Sequence, residues 1–143
     1  MNSNDFFEMS ELPKSIICIG GGYIGVELAQ IMAAFGVKVT LITRGEILKH
    51  LDRDIVEKLM ESMRKLGVEI ILGRPHKAVT QNEDGKLVLH LHAKEGELNQ
   101  ITADKILLAL GRPPNVDALG LENTGIKVQN NFVAVDEFQN TSV

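Results

Sequence analysis

Gly20, Gly21, Gly22 and Gly25 crowd into six positions of the stretch ICIGGGYIGVELAQ, and a cationic run, TRGEILKH, follows at residues 43–50. A glycine in a regular element costs roughly 0.5–1 kcal/mol against alanine, so a cluster of them marks a place where backbone must come close to something. Gly20, Gly22 and Gly25 have the spacing G-x-G-x-x-G. In that spacing the first glycine permits a tight turn, the second lets backbone approach a pyrophosphate, and the third lets a helix pack onto a strand. Arg44 and Lys49 add a second phosphate chemistry. A guanidinium can grip phosphate with two parallel donors, and an ammonium acts as a point charge. The plain alternatives are a structural glycine turn and solvated loop charges.

The flanking elements weigh between these readings. Residues 15–19 (SIICI) are a short apolar run of the kind buried on both faces of a parallel sheet. Residues 23–35 carry Ile24, Leu28, Ile31, Met32 and Phe35 near helical spacing and stop at Gly36. Residues 37–43 (VKVTLIT) read as a second strand. Asp52 suits the cap of a helix whose apolar stripe is Ile55, Val56, Leu59, Met60, Met63 and Leu66. Glu61 and Lys65 are an i,i+4 pair on it, and Gly67 ends it. Residues 68–72 (VEIIL) are a third strand. The order β-α-β-α-β implies a parallel sheet with right-handed crossovers.

The rhythm then changes. Residues 77–81, 86–93 and 98–102 alternate apolar and polar, and NEDG and KEGE between them read as hairpin turns. Residues 104–110 (DKILLAL) are another buried strand that runs into the forced loop GRPPN, and a Gly- and Asn-rich tail carries a short strand at 132–135. The expected fold class is α/β: a Rossmann-like parallel βαβαβ sheet with an inserted three-stranded antiparallel meander, residues 1–143 forming a single NAD(P)-binding domain.

A glycine motif at the first βα turn, ahead of a helix whose amino-terminal amides and dipole favour anions, points to a dinucleotide. The end of the second strand discriminates between dinucleotides. An NAD site usually places Asp or Glu there for the ribose 2′-OH, whereas a 2′-phosphate needs cations. Here Thr43 stands in the acid's place, with Arg44, Lys49 and His50 after it. Glu46 could orient Arg44 or repel phosphate, and Gly25 occupies a position where many NADP sites carry alanine. The expectation is NADP(H), with NAD(H) the alternative.

Composition excludes other classes. The 143 residues carry a net charge of −4, with 44% apolar and 24% charged residues, as in an ordinary soluble domain with a real core. Nothing suggests a nucleic-acid or anionic-membrane surface. The apolar runs are far shorter than the roughly 18 residues of a membrane span. The polar start MNSND lacks a signal pattern, which makes a cytoplasmic protein the expectation. Cys18 is the single cysteine, so an intrachain disulfide and a C-x-x-C pair are excluded, and its apolar run predicts a buried, inert thiol. His90 and His92 alternate on one face of a strand, most simply the solvent face, and no metal site is expected.

The segments FFEMSELPKSIICIGGGYIGVELA, RGEIL, LLALGRPPN and GLENTGIKV…FVAVDEFQNTSV resemble, in order, the central nucleotide-binding domain of the pyridine nucleotide-disulfide oxidoreductases, most nearly the glutathione reductases. The resemblance covers essentially the whole chain. It implies that the meander replaces a crossover helix. Gly22, Tyr23 and Ile24 match the family's phosphate-turn segment. Tyr23 resembles the tyrosine that covers the flavin side of the nicotinamide pocket, and Glu27 the glutamate at the nicotinamide end. Arg44 and Lys49 resemble the two cations on the adenosine 2′-phosphate, and Gly111 lies in the loop flanking the cofactor. Helix-start packing for Tyr23 and a first-turn dipole role for Glu27 are the plain alternatives.

The loop between Arg44 and Asp52 is one residue shorter than in typical glutathione reductases, a length mercuric reductases share; this bears on Lys49 more than on Arg44. The resemblance also implies that this is a piece of a larger homodimeric flavoprotein. An FAD-binding part with a reactive cysteine pair and a carboxy-terminal dimerisation domain with a histidine base would lie outside it. The implied parent passes hydride from NADPH to FAD, and the reduced flavin then opens a disulfide that reduces glutathione disulfide. No catalytic residue is expected in this segment, which by itself is expected to be a monomer. Dihydrolipoamide dehydrogenase and mercuric reductase are alternatives within the family. A stand-alone nucleotide-binding module without redox activity is the alternative of another class.

Overall fold

The computed structural model of the chain describes residues 1–92 and 99–143. They form two compact units, residues 1–110 and 111–143. The first unit is built on a four-stranded parallel sheet in the order β3-β2-β1-β7, from β1 (Ser15–Ile19), β2 (Lys38–Ile42), β3 (Glu69–Ile71) and β7 (Lys105–Leu108). α1 (Ser3–Phe7) precedes them, and between them come α2 (Tyr23–Ala34) and α3 (Arg53–Lys65), then the antiparallel meander β4 (His76–Gln81), β5 (Leu87–Leu91) and β6 (Gln100–Ala103).

The pleat of β1 explains the layering. Ile16 and Cys18 point to one face, where Val26, Ala29 and Met32 of α2, Val56 and Met63 of α3 and Phe6 of α1 close a core. Ile17 and Ile19 point to the other, where Leu89 and Leu91 of β5 and Ala103 cover them together with Ile42 and Ile106. The apolar run SIICI is therefore buried on both sides, by helices on one face and by the meander on the other. Burial pushes the Cys18 thiol up to about 12, so it is an inert core side chain.

Several boundaries and partners differ from the sequence-based expectation. The helix α1 was not expected. Its signal is a capping box: the Asn2 side chain accepts from the amides of Asn4 and Asp5 at 2.7 and 3.2 Å, and the Asp5 carboxylate accepts from the Asn2 amide at 2.7 Å. Asp52 caps α3 as expected, accepting from the Asp54 amide at 3.0 Å. Glu61, however, pairs with Lys58 at 2.9 Å, three residues back, and not with Lys65. In α2 the residues buried are Gly25, Val26, Leu28, Ala29, Met32 and Ala33, while Ile31 and Phe35 of the helically spaced apolar set face outward. The KEGE turn lies outside the described residues. His90 sits on the outer face of β5 between Thr80 and Gln100, whereas His92 lies past the strand's end.

Two polar ties close this unit, one buried and one partly buried. Arg74 follows β3, is buried, and donates to the His92 carbonyl and the Asn99 side chain, each at 3.2 Å, which fastens the meander to the end of the parallel sheet. At the opposite end, the Asp104 carboxylate accepts from both the amide and the hydroxyl of Ser15 at 2.7 Å. These bonds hold its pKa below the ordinary carboxylate range, with the Lys86 ammonium 3.6 Å away assisting. The second unit carries a single 3-10 turn (Leu121–Asn123) and a small hairpin, β8 (Val128–Gln129) with β9 (Phe132–Val133), so the expected strand at 132–135 is two residues long.

Candidate nucleotide-binding site

The site lies where β1 ends and α2 begins, at the carboxyl edge of the sheet. Gly20 has a φ of +129°, and a Cβ on it would overlap the Ala109 carbonyl, so the turn can pass β7 only without a side chain. Its amide donates to the Ile42 carbonyl at 2.9 Å, which pins the turn to the end of β2. A Cβ on Gly25 would overlap the Gly20 carbonyl, so this glycine serves the close seating of α2 on the turn. Gly22 differs. It is exposed, and a Cβ placed on it would meet nothing within 4 Å.

Gly22 is also the N-cap of α2. It offers no side-chain cap, and the first turn of the helix holds no acidic residue. The first amides of this twelve-residue helix therefore have no side-chain cap, beside a glycine with open space where a Cβ would stand. That arrangement suits an oxyanion, and the missing Cβ at Gly22 suits close approach of a pyrophosphate. A dinucleotide fits the residues present.

Gly21 holds a role that the motif does not assign. A Cβ there would lie 2.8 Å from the Glu46 carbonyl oxygen and 3.2 Å from the Ile47 Cα, and its own carbonyl accepts from the Leu48 amide at 2.8 Å. Gly21 thus joins the phosphate turn to the cationic loop. Ile47 anchors that loop, its side chain fully buried in the helical-side core. The sequence signal for this was the lone apolar pair in an otherwise polar run, RGEILKH.

With Ile47 turned in, Arg44, Lys49 and His50 are exposed. Arg44 makes no hydrogen bond or ion pair among the described residues. Thr43, where an acid would mark a ribose site, is buried, and its hydroxyl accepts from the Gly45 amide at 3.3 Å. Glu46 neither orients Arg44 nor stands unpaired: its carboxylate lies 3.7 Å from Arg53, which also donates to the Ile47 carbonyl at 3.0 Å. Arg53 therefore both closes the loop and offsets the negative charge of Glu46.

Tyr23 is 62% exposed and does not pack into the core, and Ile24 leans partly against it. Glu27 is the fifth residue of α2, beyond the first turn, and is exposed, so a dipole-partner role does not describe it. Gly111 opens the second unit with a φ of +149°. Among the described residues no three His, Cys, Asp or Glu side chains come together as a metal site. No helix of the described residues is long and apolar enough to cross a membrane.

The sequence matches the pyridine nucleotide-disulphide oxidoreductase family over residues 1–143. The chain belongs to this family. It is 39% identical over its whole length to the dihydrolipoyl dehydrogenase of Geobacillus stearothermophilus, covering 30% of that protein. Over 99% of its length it is 42% identical to the glutathione reductase of a Nostoc species, covering 33% of it. Among solved structures, the HOCl-induced flavoprotein disulfide reductase RclA from Escherichia coli superposes with a TM-score of 0.88 at 33% identity, over 99% of this chain and 32% of that one. The chain thus spans about a third of the length of the relatives it matches. The parallel sheet with its antiparallel layer is thus a fold shared with a flavoprotein disulfide reductase.

Proposed function

We propose that this chain is the NADPH-binding domain of an FAD-dependent disulfide reductase whose substrate is glutathione disulfide. The observation that carries the reading is the pairing of an open, uncapped helix start at Gly22 with a loop that turns Arg44 and Lys49 outward while Arg53 takes up Glu46. The amides of the first α2 turn hold the pyrophosphate, Arg44 forks onto the 2′-phosphate, and Lys49 adds a point charge. Tyr23 and Glu27, one helical turn apart on the outer face of α2, position the nicotinamide end. Bound there, the nucleotide supplies a hydride, and the flavin of the whole protein carries the electrons onward. Reduction of the disulfide, the reactive cysteine pair and the homodimer belong to the rest of that protein.

Calorimetric titration with NADPH, NADH and FAD tests this. NADPH binds most tightly if the reading holds, and tighter binding of FAD overturns it. A second reading, an NAD-linked dihydrolipoyl dehydrogenase domain, is favoured by the 39% identity to the Geobacillus stearothermophilus enzyme. A preference for NADH in the same titration selects it.

A further inference from the structure

A Cβ on Gly21 would meet the Glu46 carbonyl oxygen at 2.8 Å, the Thr43 hydroxyl at 3.1 Å and the Ile47 Cα at 3.2 Å, atoms of the cationic loop and none of α2. Two of the three are main chain, which cannot swing aside as the end of a side chain does, so a side chain at Gly21 must move the loop. The same contact sets the loop's conformation. The Leu48 amide donates to the Gly21 carbonyl at 2.8 Å, and Leu48 has a φ of +44°, in the left-handed region. Among the described residues it is the one apolar side chain there; the other non-glycine residues are Asn130, Asn131 and Gln139. A leucine keeps that conformation only where its surroundings over-determine it. Here its side chain packs against the core that buries Ile47, and its carbonyl accepts from the Leu51 amide at 2.8 Å. Lys49 follows at once.

We propose that Gly21 is a specificity-determining residue for the 2′-phosphate. By carrying no side chain it lets the cationic loop close onto the glycine turn, and its bond to Leu48 fixes where Arg44 and Lys49 stand relative to the pyrophosphate. The inference rests on the NADPH-binding role proposed above and deepens it. The 2′-phosphate and the pyrophosphate hang from one ribose, so the spacing between the turn and the loop must match the spacing within the nucleotide. Gly21 sets that spacing. Exposed arginine and lysine side chains have no fixed aim of their own, so the backbone beneath them must supply it, and a loop ordered beforehand loses less freedom when phosphate binds. NADH has a bare 2′-hydroxyl and places no such demand on the loop. Gly21 therefore acts on the choice between the nucleotides, whereas the open position at Gly22 serves the pyrophosphate that both share.

The test uses the full-length flavoprotein, titrated calorimetrically with NADP+ and NAD+, oxidised forms that leave the flavin's oxidation state alone. Gly21→Ala is expected to lower the ratio of NADP+ to NAD+ affinity about tenfold, the contribution of one displaced bond to a charged group. Gly22→Ala, whose Cβ meets no loop atom, is expected to leave that ratio within about twofold while weakening both nucleotides. Leu48→Gly perturbs the loop from its other side. Glycine is at ease at a φ of +44° and keeps the amide bond to Gly21, but the loop loses its side-chain anchor, so the same ratio is expected to fall. Bound flavin and the melting temperature show which variants are folded. A folded Gly21→Ala with an unchanged ratio overturns the proposal; where that variant does not fold, an unchanged ratio in Leu48→Gly does so. A ratio lowered as far by Gly22→Ala also overturns it, since the turn as a whole would then select the phosphate. An unsubstituted protein without preference for NADP+ overturns the cofactor reading and this inference with it, whereas a preference that survives the substitutions overturns this inference alone.

Discussion

Replacing Arg44 by alanine isolates the cofactor choice. The side chain is exposed and makes no bond or ion pair among the described residues, so its loss leaves the fold untouched and the melting temperature unchanged. A hydrogen bond to a charged group contributes about 1.5–3 kcal/mol, and exposure to solvent and salt places this one toward the lower end. Converted at about 1.4 kcal/mol per tenfold, NADPH affinity should fall by about 10- to 30-fold. NADH has no 2′-phosphate, so its affinity should change less than twofold, within the roughly 0.5 kcal/mol scatter of a neutral surface change. The paired carboxylate offers a second perturbation of the same sense. Arg53→Ala releases Glu46 from its 3.7 Å partner, and the freed negative charge should weaken NADPH alone. Calorimetry at low and at physiological salt reads both effects, and salt should erode the NADPH preference of the unsubstituted chain but not that of Arg44→Ala. Equal loss of both nucleotides on Arg44→Ala would refute the reasoning, since the residue would then serve the turn or the pyrophosphate.

The glycines separate stability from binding. Gly20→Ala, at φ +129° against the Ala109 carbonyl, should cost about 3 kcal/mol or more in chemical denaturation, whereas Gly22→Ala should leave stability within about 0.5 kcal/mol and weaken NADPH and NADH alike. Asp104 sets an acid limb. Its carboxyl is held below the ordinary value of 3.8, so its stabilisation is complete at pH values above 3.8 and is lost as pH falls through its lowered folded value. The melting-temperature gap between the native chain and Asp104→Asn should close over that acid range, and a gap independent of pH would contradict it. The 143-residue chain mixed with NADPH and glutathione disulfide should show no nicotinamide oxidation, followed by absorbance. Light scattering across a concentration series should find that chain monomeric, and a stable dimer at low micromolar protein would count against it.

The strand–glycine–helix unit was legible in the sequence because each of its constraints is local. SIICI, the G-x-G-x-x-G spacing and the stop at Gly36 each act within a few residues, and the structure places β1 at the same residues, 15–19. The parallel half and the alternating meander were legible for the same reason: hydrophobic period needs no knowledge of the partner. Which face each layer covers was not, because the pleat of β1 reads as apolar on both sides. Only the tertiary arrangement sends Ile16 and Cys18 to the helices, and Ile17 and Ile19 to the meander. It also decided which apolar residues of α2 are buried. Periodicity alone cannot tell a core stripe from an outward one when both are apolar, and Ile31 and Phe35, at helical spacing with Leu28 and Met32, turn outward while those two are buried. The cationic loop shows the same division. Arg44 and Lys49 were evident from residue type, but the inward Ile47 and the tie from Gly21 to Leu48 depend on where the turn, the loop and the core meet. So does the capture of Glu46 by Arg53, seven residues along the chain at the start of α3, where a charge's partner is set by three-dimensional proximity and sequence distance says nothing of it.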